Sequence, residues 1–433
     1  MSAAAAPQPR GPRPGLNFAG VFAVTFCGLV AVGSVLPVLP RYIHGPLDSG
    51  DLAVGIVIGA YAVTGLLLRP VAGRIADTRG RKQTVLAGTA LVALSGLLYL
   101  PSLGIAGLIV ARLILGAGEG AVYTAGSAWI VDLAPDARRG QVLGLYGLAV
   151  WGGLSVGPLL GELLLDLGGY TAVWVVAGTL PAAGALFAIA ARDPFVPLKH
   201  AEPHPLIAPE AVGPGFAIAL ASIGYAAIAT FIVLHLEARG IGHGATVFAA
   251  FAAMLVLTRL VFGHLPDRVG AAPVAIVATL GEAVGLALIA VAHSLPVALA
   301  GGMAMGAAFS LLNPALMLIA LGRVSQQARG AAMGTYTAFF DAGVGIGAPL
   351  AGLVAALAGY EAAFFFAAIV CVASALMVFL QLRPRPIRPR SSSSTDSAVP
   401  TPCVCGSVTA STQIHSPLGI RSRCTVRSTL MKR

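Results

Sequence analysis

The stretch Gly73-Arg74-Ile75-Ala76-Asp77-Thr78-Arg79-Gly80-Arg81-Lys82 decides the fold, because its framework recurs at Gly263-His264-Leu265-Pro266-Asp267-Arg268-Val269-Gly270. The two stretches are 190 positions apart, and the same offset matches other residues without a gap. These matches are Arg69 with Arg259, Gly116 with Gly306, Arg139-Gly140 with Arg329-Gly330, Tyr146 with Tyr336, Gly153 with Gly343, Gly157 with Gly347, and Gly169-Tyr170 with Gly359-Tyr360. One constant offset that aligns Gly, Tyr, Arg and Asp indicates that the chain duplicates a single unit.

The repeated unit is strongly apolar. Of the 433 residues, 57% are hydrophobic and only 10% are charged, whereas about a quarter are charged in a soluble domain. A membrane-spanning helix needs about 20 apolar residues, and such runs recur along the chain. They predict twelve helices, centred near residues 28, 60, 93, 118, 152, 181, 225, 254, 283, 308, 342 and 371. The run 283–322 is too long for one span, and we place a break at His293-Ser294-Leu295-Pro296. We therefore predict an all-α membrane protein with twelve transmembrane helices in two pseudo-symmetric six-helix bundles.

The predicted domains follow from breaks in this pattern. Between the two halves, prolines and charged residues interrupt the apolar pattern. After the second half, alternating Arg and Pro followed by serines end the apolar pattern. We predict a cytoplasmic amino-terminal tail (1–15), a first bundle (16–192), a cytoplasmic linker (193–213), a second bundle (214–383) and a disordered cytoplasmic tail (384–433).

Basic residues predict the orientation. If the amino terminus is inside, the outer loops hold only Arg41 and Arg239. The inner segments hold Arg10, Arg13, Arg74, Arg79, Arg81, Lys82, Arg138, Arg139, Arg192, Lys199, Arg268, Arg323 and Arg329. This asymmetry predicts that both termini are cytoplasmic, in a bacterial inner membrane. The net charge of +10 then reflects topology, so we expect no nucleic-acid partner.

The stretch 73–82 resembles motif A of the major facilitator superfamily, whose pattern is Gly, three residues, Asp-Arg, one residue, Gly and then basic residues. Thr78 stands at the usual arginine position, so we expect Arg79 to take the basic role. An aspartate here can hold the positive amino end of a helix in the other half, which for Asp77 is the eleventh span near Arg329. The alternative is that these charges only anchor a loop to the lipid headgroups. The candidate conformational-switch residues are Gly73, Asp77, Arg79, Gly80, Arg81, Lys82, Gly263, Asp267, Arg268 and Gly270.

Charged residues within spans are the candidates for coupling. Arg112 begins a stretch that resembles motif B of the superfamily, and we expect it to be the only basic residue deep in a span. Glu119, Glu282 and Asp341 are candidate proton sites, because a carboxyl group away from water binds its proton more tightly. The aromatic and glycine neighbours of Asp341 are typical of a binding cavity, so Asp341 and Glu119 rank first. For each charge the alternative is structural: an ion pair of Arg112 with Glu119 or another acid, or a neutral, hydrogen-bonded carboxyl.

The fifth predicted span resembles motif C of drug:proton antiporters in the same superfamily. Its spacing is carried by Gly153, Gly157, Pro158 and Gly161, and Glu162 replaces the usual final glycine. The resemblance implies export, although glycines at these intervals also permit close helix packing. Overall the resemblance runs from about residue 16 to 382, and is closest to sugar-efflux-like and drug-resistance-like bacterial permeases.

These features predict a secondary active transporter that exports a small organic molecule, drug-like or sugar, by proton-coupled alternating access. The alternative within the same fold is an uptake symporter or facilitator for a sugar or organic acid. We expect no enzyme, because the sequence has no His-Glu-x-x-His, Gly-x-Ser-x-Gly or Walker A motif. We expect no metal and no cofactor, with the proton gradient as energy source. The expected partners are the substrate, protons and the lipid bilayer, and we expect a monomer.

Overall fold

The computed structural model describes residues 14–134, 139–193, 208–322, 324 and 329–382. Within these ranges all regular secondary structure is α-helical. The helices are α1 (Pro14–Val35), α2 (Val38–His44), α3 (Asp51–Arg79), α4 (Arg81–Leu97), α5 (Gly104–Leu133), α6 (Arg139–Ala190), α7 (Pro209–Ala238), α8 (Gly244–Phe262), α9 (Leu265–Val269), α10 (Ala271–Ala290), α11 (Leu295–Leu321) and α12 (Arg329–Leu382). The predicted amino-terminal tail, except Pro14 and Gly15, most of the linker, and the carboxy-terminal tail lie outside the described residues.

The described helices contain all twelve predicted spans. Among the described residues, nine segments are long and apolar enough to cross a membrane. Two of them, in α6 and α12, are each two helices that meet at a non-helical glycine, Gly169 and Gly359. The 17-residue α4 adds the remaining span. The all-α membrane fold is confirmed, and the described helices are consistent with two sets of six.

Several predicted breaks coincide with helix ends. Ser294 precedes α11, and Pro296 lies in its first turn, where a missing backbone N–H costs nothing. Gly169 and Gly359, matched by the repeat, divide α6 and α12 at positive φ. The start of α7 differs from the prediction: Pro209 opens it, inside the stretch 193–213 predicted as linker, because proline is favoured in a first turn.

The first half (α1–α6) and the second half (α7–α12) contact each other mainly through α3 with α12 and α6 with α8. We name the two ends of the molecule by their residues. The Arg41 end carries Arg41, Asp51, Glu162, Glu237 and Tyr360, and the Gly80 end carries the turns at Gly80 and Gly270. Five of the basic residues that predict the orientation lie outside the described residues: Arg10, Arg13, Arg138, Lys199 and Arg323. The orientation in the membrane stays a prediction.

The halves are joined at the Arg41 end. Arg41 forms an ion pair with Glu237 of the other half, and the Tyr360 hydroxyl donates to Asp51 Oδ1 across the halves at 2.9 Å. Backbone contact is also close there: a Cβ on Gly59 would lie 2.9 Å from the carbonyl oxygen of Gly345. The structure is therefore a conformation in which this end is closed.

Candidate functional site

An ion pair between Arg69 and Asp341 links the two halves within the membrane-spanning region. Arg69 Nε donates to Asp341 Oδ2 and Nη2 donates to Oδ1, both at 3.0 Å. Arg69 lies in α3 and Asp341 in α12, and the Asp341 side chain is only 5% exposed. Within the described residues, no hydrogen bond or ion pair connects the halves between this pair and the Gly80 end. The pair is thus the innermost polar link of the closed side.

Glu119 lies next to this pair on α5. Arg69, Asp341 and Arg112 are the charged groups whose fields act on its carboxylate. No hydrogen bond or ion pair of Glu119 is present among the described residues. Glu119 therefore has an acid and two cations as neighbours. Its own carboxylate oxygens are free to bind a proton or to accept a hydrogen bond.

Arg112 does not form the ion pair with Glu119 that the structural alternative expects. Its Nη2 donates to the Ile58 carbonyl oxygen at 3.0 Å, and its guanidinium lies over the Tyr61 ring, 5.0 Å from the centroid. Nε and Nη1 are buried without a hydrogen-bond partner in the part of the chain that the structure describes. A buried cation with two unused donors costs free energy, so this arginine is available to a negative neighbour in another state.

A cavity of about 30 Å³ joins these groups at the interface of the halves. Arg112, Glu119 and Tyr61 line it from the first half, and Tyr225 and Val344 from the second. Its volume suits about two water molecules and is far below that of a site for an organic molecule. In this conformation the space next to Glu119 can hold a proton path but no organic substrate.

Glu282 lies apart from this cluster. It is fully buried in α10, and its Oε1 lies 2.7 Å from where a Cβ on Gly224 would stand, with the Cys371 sulfur beside the same point. Its neighbours therefore belong to α7 and α12 of its own half. Of the four predicted coupling residues, the structure brings Arg112, Glu119 and Asp341 together, whereas Glu282 does not join them; their coupling role stays a prediction.

The motif A charges form contacts within the first half. Asp77 forms an ion pair with Arg81, which also donates through Nε to Asp132 of α5 at 3.1 Å. Arg81, not Arg79, therefore takes the basic role beside Asp77, and Arg79 is exposed with no ion pair among the described residues. The Lys82 ammonium donates to the Ala191 carbonyl oxygen at 3.0 Å, at the end of α6.

Among the described residues, Asp77 forms no hydrogen bond or ion pair with the eleventh span. The side chain of Arg329 lies outside them. In the second copy of the motif, Asp267 and Arg268 are both exposed. The contact of Asp77 with the eleventh span at the Gly80 end therefore stays a prediction.

The glycines of motif A set the turns. Gly80 has φ 113° and Gly270 has φ 107°, a region that residues with a Cβ rarely adopt. Each glycine ends one helix and precedes the next, so both halves turn in the same way. Gly73 and Gly263 lie about two turns of chain earlier and are partly buried.

The motif C glycines pack α6 against α1. A Cβ on Gly153 would lie 2.7 Å from the Leu29 Cβ, and one on Gly157 would lie 2.6 Å from the Gly33 Cα. Gly161 meets the Ser34 backbone, and Pro158 lies inside the helix. In the second half, Gly347 packs in the same way, with the Ile223 Cα 2.9 Å from its would-be Cβ. Because both halves share this packing, motif C has a structural role here.

Comparison with known proteins decides the family. The model of the Major Facilitator Superfamily matches residues 21–243 and 215–421. The chain belongs to this superfamily. The predicted resemblance is thereby confirmed, and the molecule is a multi-pass membrane transporter of the Major Facilitator Superfamily.

Relatives within the superfamily cover nearly the whole chain. The "Uncharacterized MFS-type transporter YhhS" of Escherichia coli K12 is 34% identical over 394 residues, which is 88% of this chain and 96% of YhhS. An "Uncharacterized MFS-type transporter" of Pseudomonas aeruginosa LESB58 is 36% identical over 384 residues, 86% of this chain and 94% of the relative. Their names identify transporters and no substrate.

Solved structures of the superfamily share the fold. The human organic anion transporter MFSD10 (TETRAN) superposes with a TM-score of 0.67 at 20% identity, over 85% of this chain and 100% of MFSD10. The nucleoside transporter NupG superposes with a TM-score of 0.70 at 14% identity, over 85% of this chain and 100% of NupG. At these identities the likeness concerns the fold.

Sequence reasoning missed two arginines of this superfamily member. Arg69 and Arg259 were matched by the repeat, but Arg112 was expected to be the only basic residue deep in a span. That expectation is wrong, because Arg69 lies ten residues before the end of α3 and Arg259 lies within α8. The sequence did contain a signal for both arginines, because each lies inside an apolar run and the two match at the repeat offset. A charged residue inside a span normally faces a partner or a cavity, so both could have been listed as candidates.

Proposed function

We propose that this transporter is a proton-coupled antiporter that exports a small organic molecule by alternating access. The observation that supports it best is the Arg69–Asp341 pair. It joins the halves within the membrane, and it depends on one protonation state, because a protonated Asp341 no longer balances the guanidinium charge. A proton on this carboxyl therefore weakens the link between the halves.

The cycle follows from the two ends of the molecule. With the Arg41 end closed, Asp341 is ionised and paired with Arg69, and substrate enters from the Gly80 end. Substrate binding favours closure of the Gly80 end, where Asp77 meets the eleventh span, and the Arg41–Glu237 pair opens. Asp341 then takes a proton from the opposite side, and the substrate leaves. The protonated form returns to the conformation with the Arg41 end closed, where Asp341 releases the proton toward the Gly80 end and pairs with Arg69 again.

The proposed direction of transport, out of the cell, is supported by sequence features. The basic residues at the Gly80 end, among them Arg74, Arg81 and Lys82, are typical of a cytoplasmic face. With that orientation, both termini are cytoplasmic and the closed Arg41 end faces away from the cytoplasm. The resemblance of 144–161 to motif C of drug:proton antiporters favours export over uptake.

Everted membrane vesicles test the proposal. A growth screen of a transporter-deficient strain against toxic compounds and sugars supplies the substrate. Addition of that substrate to energised vesicles loaded with a pH-sensitive dye should release protons from the lumen, because substrate enters as protons leave. Proton movement in the same direction as substrate would identify the symporter alternative, and no proton response to any exported compound would exclude antiport.

A further inference from the structure

Arg259 is a cation within the membrane-spanning region that has no acidic partner among the described residues. Its one polar contact there is a long hydrogen bond from Nε to the Ser310 hydroxyl at 3.5 Å. Ser310 is itself fully buried and donates to the Leu255 carbonyl oxygen, so it is a weak partner for a guanidinium. An arginine in this position is costly unless it has a function.

The internal repeat explains why Arg259 lacks an acid. Arg69 and Arg259 are equivalent, and Arg69 has two acids beside it, Asp341 and Glu119. At the offset of 190, the counterpart of Asp341 is Trp151 and that of Glu119 is Phe309. Both acid positions are thus aromatic on the Arg259 side. The two halves therefore share the cation and differ in its counter-charges.

The replacing aromatic residues form one cluster at the interface of the halves. The Trp151 ring lies 6.1 Å from both the Tyr225 and the Phe309 rings, measured between centroids. α6, which carries Trp151, packs against α8, which carries Arg259. Apolar rings and a guanidinium on helices that pack against each other suit an organic molecule that has a negative group at one end.

The charges of the central region confirm the imbalance. Arg69 is balanced by Asp341, and Glu119 is the one further acid near Arg112. The ionisable groups whose fields act on Arg259 are Tyr123 and Tyr336, and among the described residues no acid does so. Tyr123, 44% exposed, is a shared neighbour of both repeat arginines: the Arg69 guanidinium lies 5.4 Å from its ring centroid, and its hydroxyl lies within the field of Arg259.

We propose that the transported compound is a small organic anion and that Arg259 binds its carboxylate or phosphate group. This rests on the proposed function and names the class of its substrate. The fork of N–H donors in a guanidinium matches the two oxygens of such a group. Arg259 lies four residues before the turn at Gly263, at the repeat position equivalent to Arg69, and among the described residues no polar link closes the halves between the Arg69–Asp341 pair and the Gly80 end. The anion therefore reaches Arg259 from the Gly80 end.

Binding of matched probes to the purified full-length chain tests this without a proton gradient. One set is benzoate, benzamide and benzylammonium; the other is glucuronate, glucose and glucosamine. The carboxylate member should bind most tightly in at least one set. Arg259→Gln should weaken that binding by about tenfold or more, since a charged hydrogen-bonding partner is lost, and Arg259→Lys should retain part of it. Arg74→Gln is the matched control, because Arg74 is exposed and outside the site.

Preference for the neutral or ammonium members, no binding of either carboxylate, or unchanged carboxylate binding in Arg259→Gln would each overturn the proposal. The outcome is separate from the antiport test. If carboxylates bind through Arg259 while everted vesicles show no proton release, the anion site stands and the antiport mechanism fails.

Exchange of one proton for one monovalent anion would also move two charges per cycle, so an imposed membrane potential should change the rate of this exchange.

Discussion

Asp341→Asn is the substitution that tests the coupling mechanism most deeply. The carboxylate accepts two hydrogen bonds from Arg69, both at 3.0 Å, and an asparagine offers one oxygen and no charge. The loss of one charge-assisted hydrogen bond is about 1.5–3 kcal/mol. Because the pair joins the halves only when the Arg41 end is closed, its loss should shift the equilibrium away from this conformation by about 10- to 150-fold.

Spin labels at Arg74 and Val269 measure that shift, because both side chains are exposed at the Gly80 end in opposite halves. Double electron–electron resonance should give a mainly long distance in the parent and a mainly short one in Asp341→Asn. The same variant should lose pH-driven transport while it still binds substrate. Asp166→Asn, which removes an exposed acid, is the matched control.

The structural alternative for this pair makes the opposite prediction. Removal of one partner leaves Arg69 unbalanced, which is destabilising by about 3–5 kcal/mol in buried pairs. The double variant Arg69→Gln with Asp341→Asn removes both charges and should restore thermal stability. If it also restores proton-driven transport, or if Asp341→Asn leaves the distance distribution and the pH dependence unchanged, the coupling role of Asp341 is refuted.

Three further substitutions test other parts of the mechanism. Asp77→Asn should leave the protein in the membrane but slow transport, because the contact that closes the Gly80 end is weakened; normal turnover at normal expression would remove Asp77 from the switch. Gly157→Leu should lower the yield of folded protein on size-exclusion chromatography, since overpacking costs about 1–3 kcal/mol or more, whereas Gly144→Leu should be tolerated, because no atom lies within 4 Å of its would-be Cβ. Arg41→Gln removes the ion pair with Glu237 and should shift the spin-label distances in the same direction as Asp341→Asn. The shift should be smaller, because partly exposed ion pairs contribute less free energy. An equal or larger shift would contradict this ranking of the two pairs.

The fold was predictable because each span leaves a simple signal. Length and apolarity located every predicted span, though not the short helices α2 and α9, and Pro296 and the repeated Gly169 and Gly359 marked where long runs divide. The repeat offset predicted the two halves. Boundaries were less certain, as the start of α7 at Pro209 shows, because a proline fits both a linker and a first turn.

The site was predictable only in part, because helices that are apolar on all sides carry no signal of which face meets which neighbour. Arg112, Glu119 and Asp341 were found as charges in spans and do lie together. Glu282 met the same criterion but lies within its own half. Arg69 was overlooked although the repeat matches it with Arg259; only the identity of its partner, Asp341, 272 positions away, needed the folded chain.

Simultaneous measurement of proton and substrate flux in proteoliposomes tests the central claim most directly. The purified full-length chain is reconstituted with an internal pH dye, a pH gradient is imposed, and uptake of the labelled substrate is followed in the same sample. We predict that substrate accumulates on the side from which protons leave, and that Asp341→Asn abolishes this accumulation. Substrate movement along with the protons, or accumulation that is independent of the pH gradient, would contradict proton-coupled export.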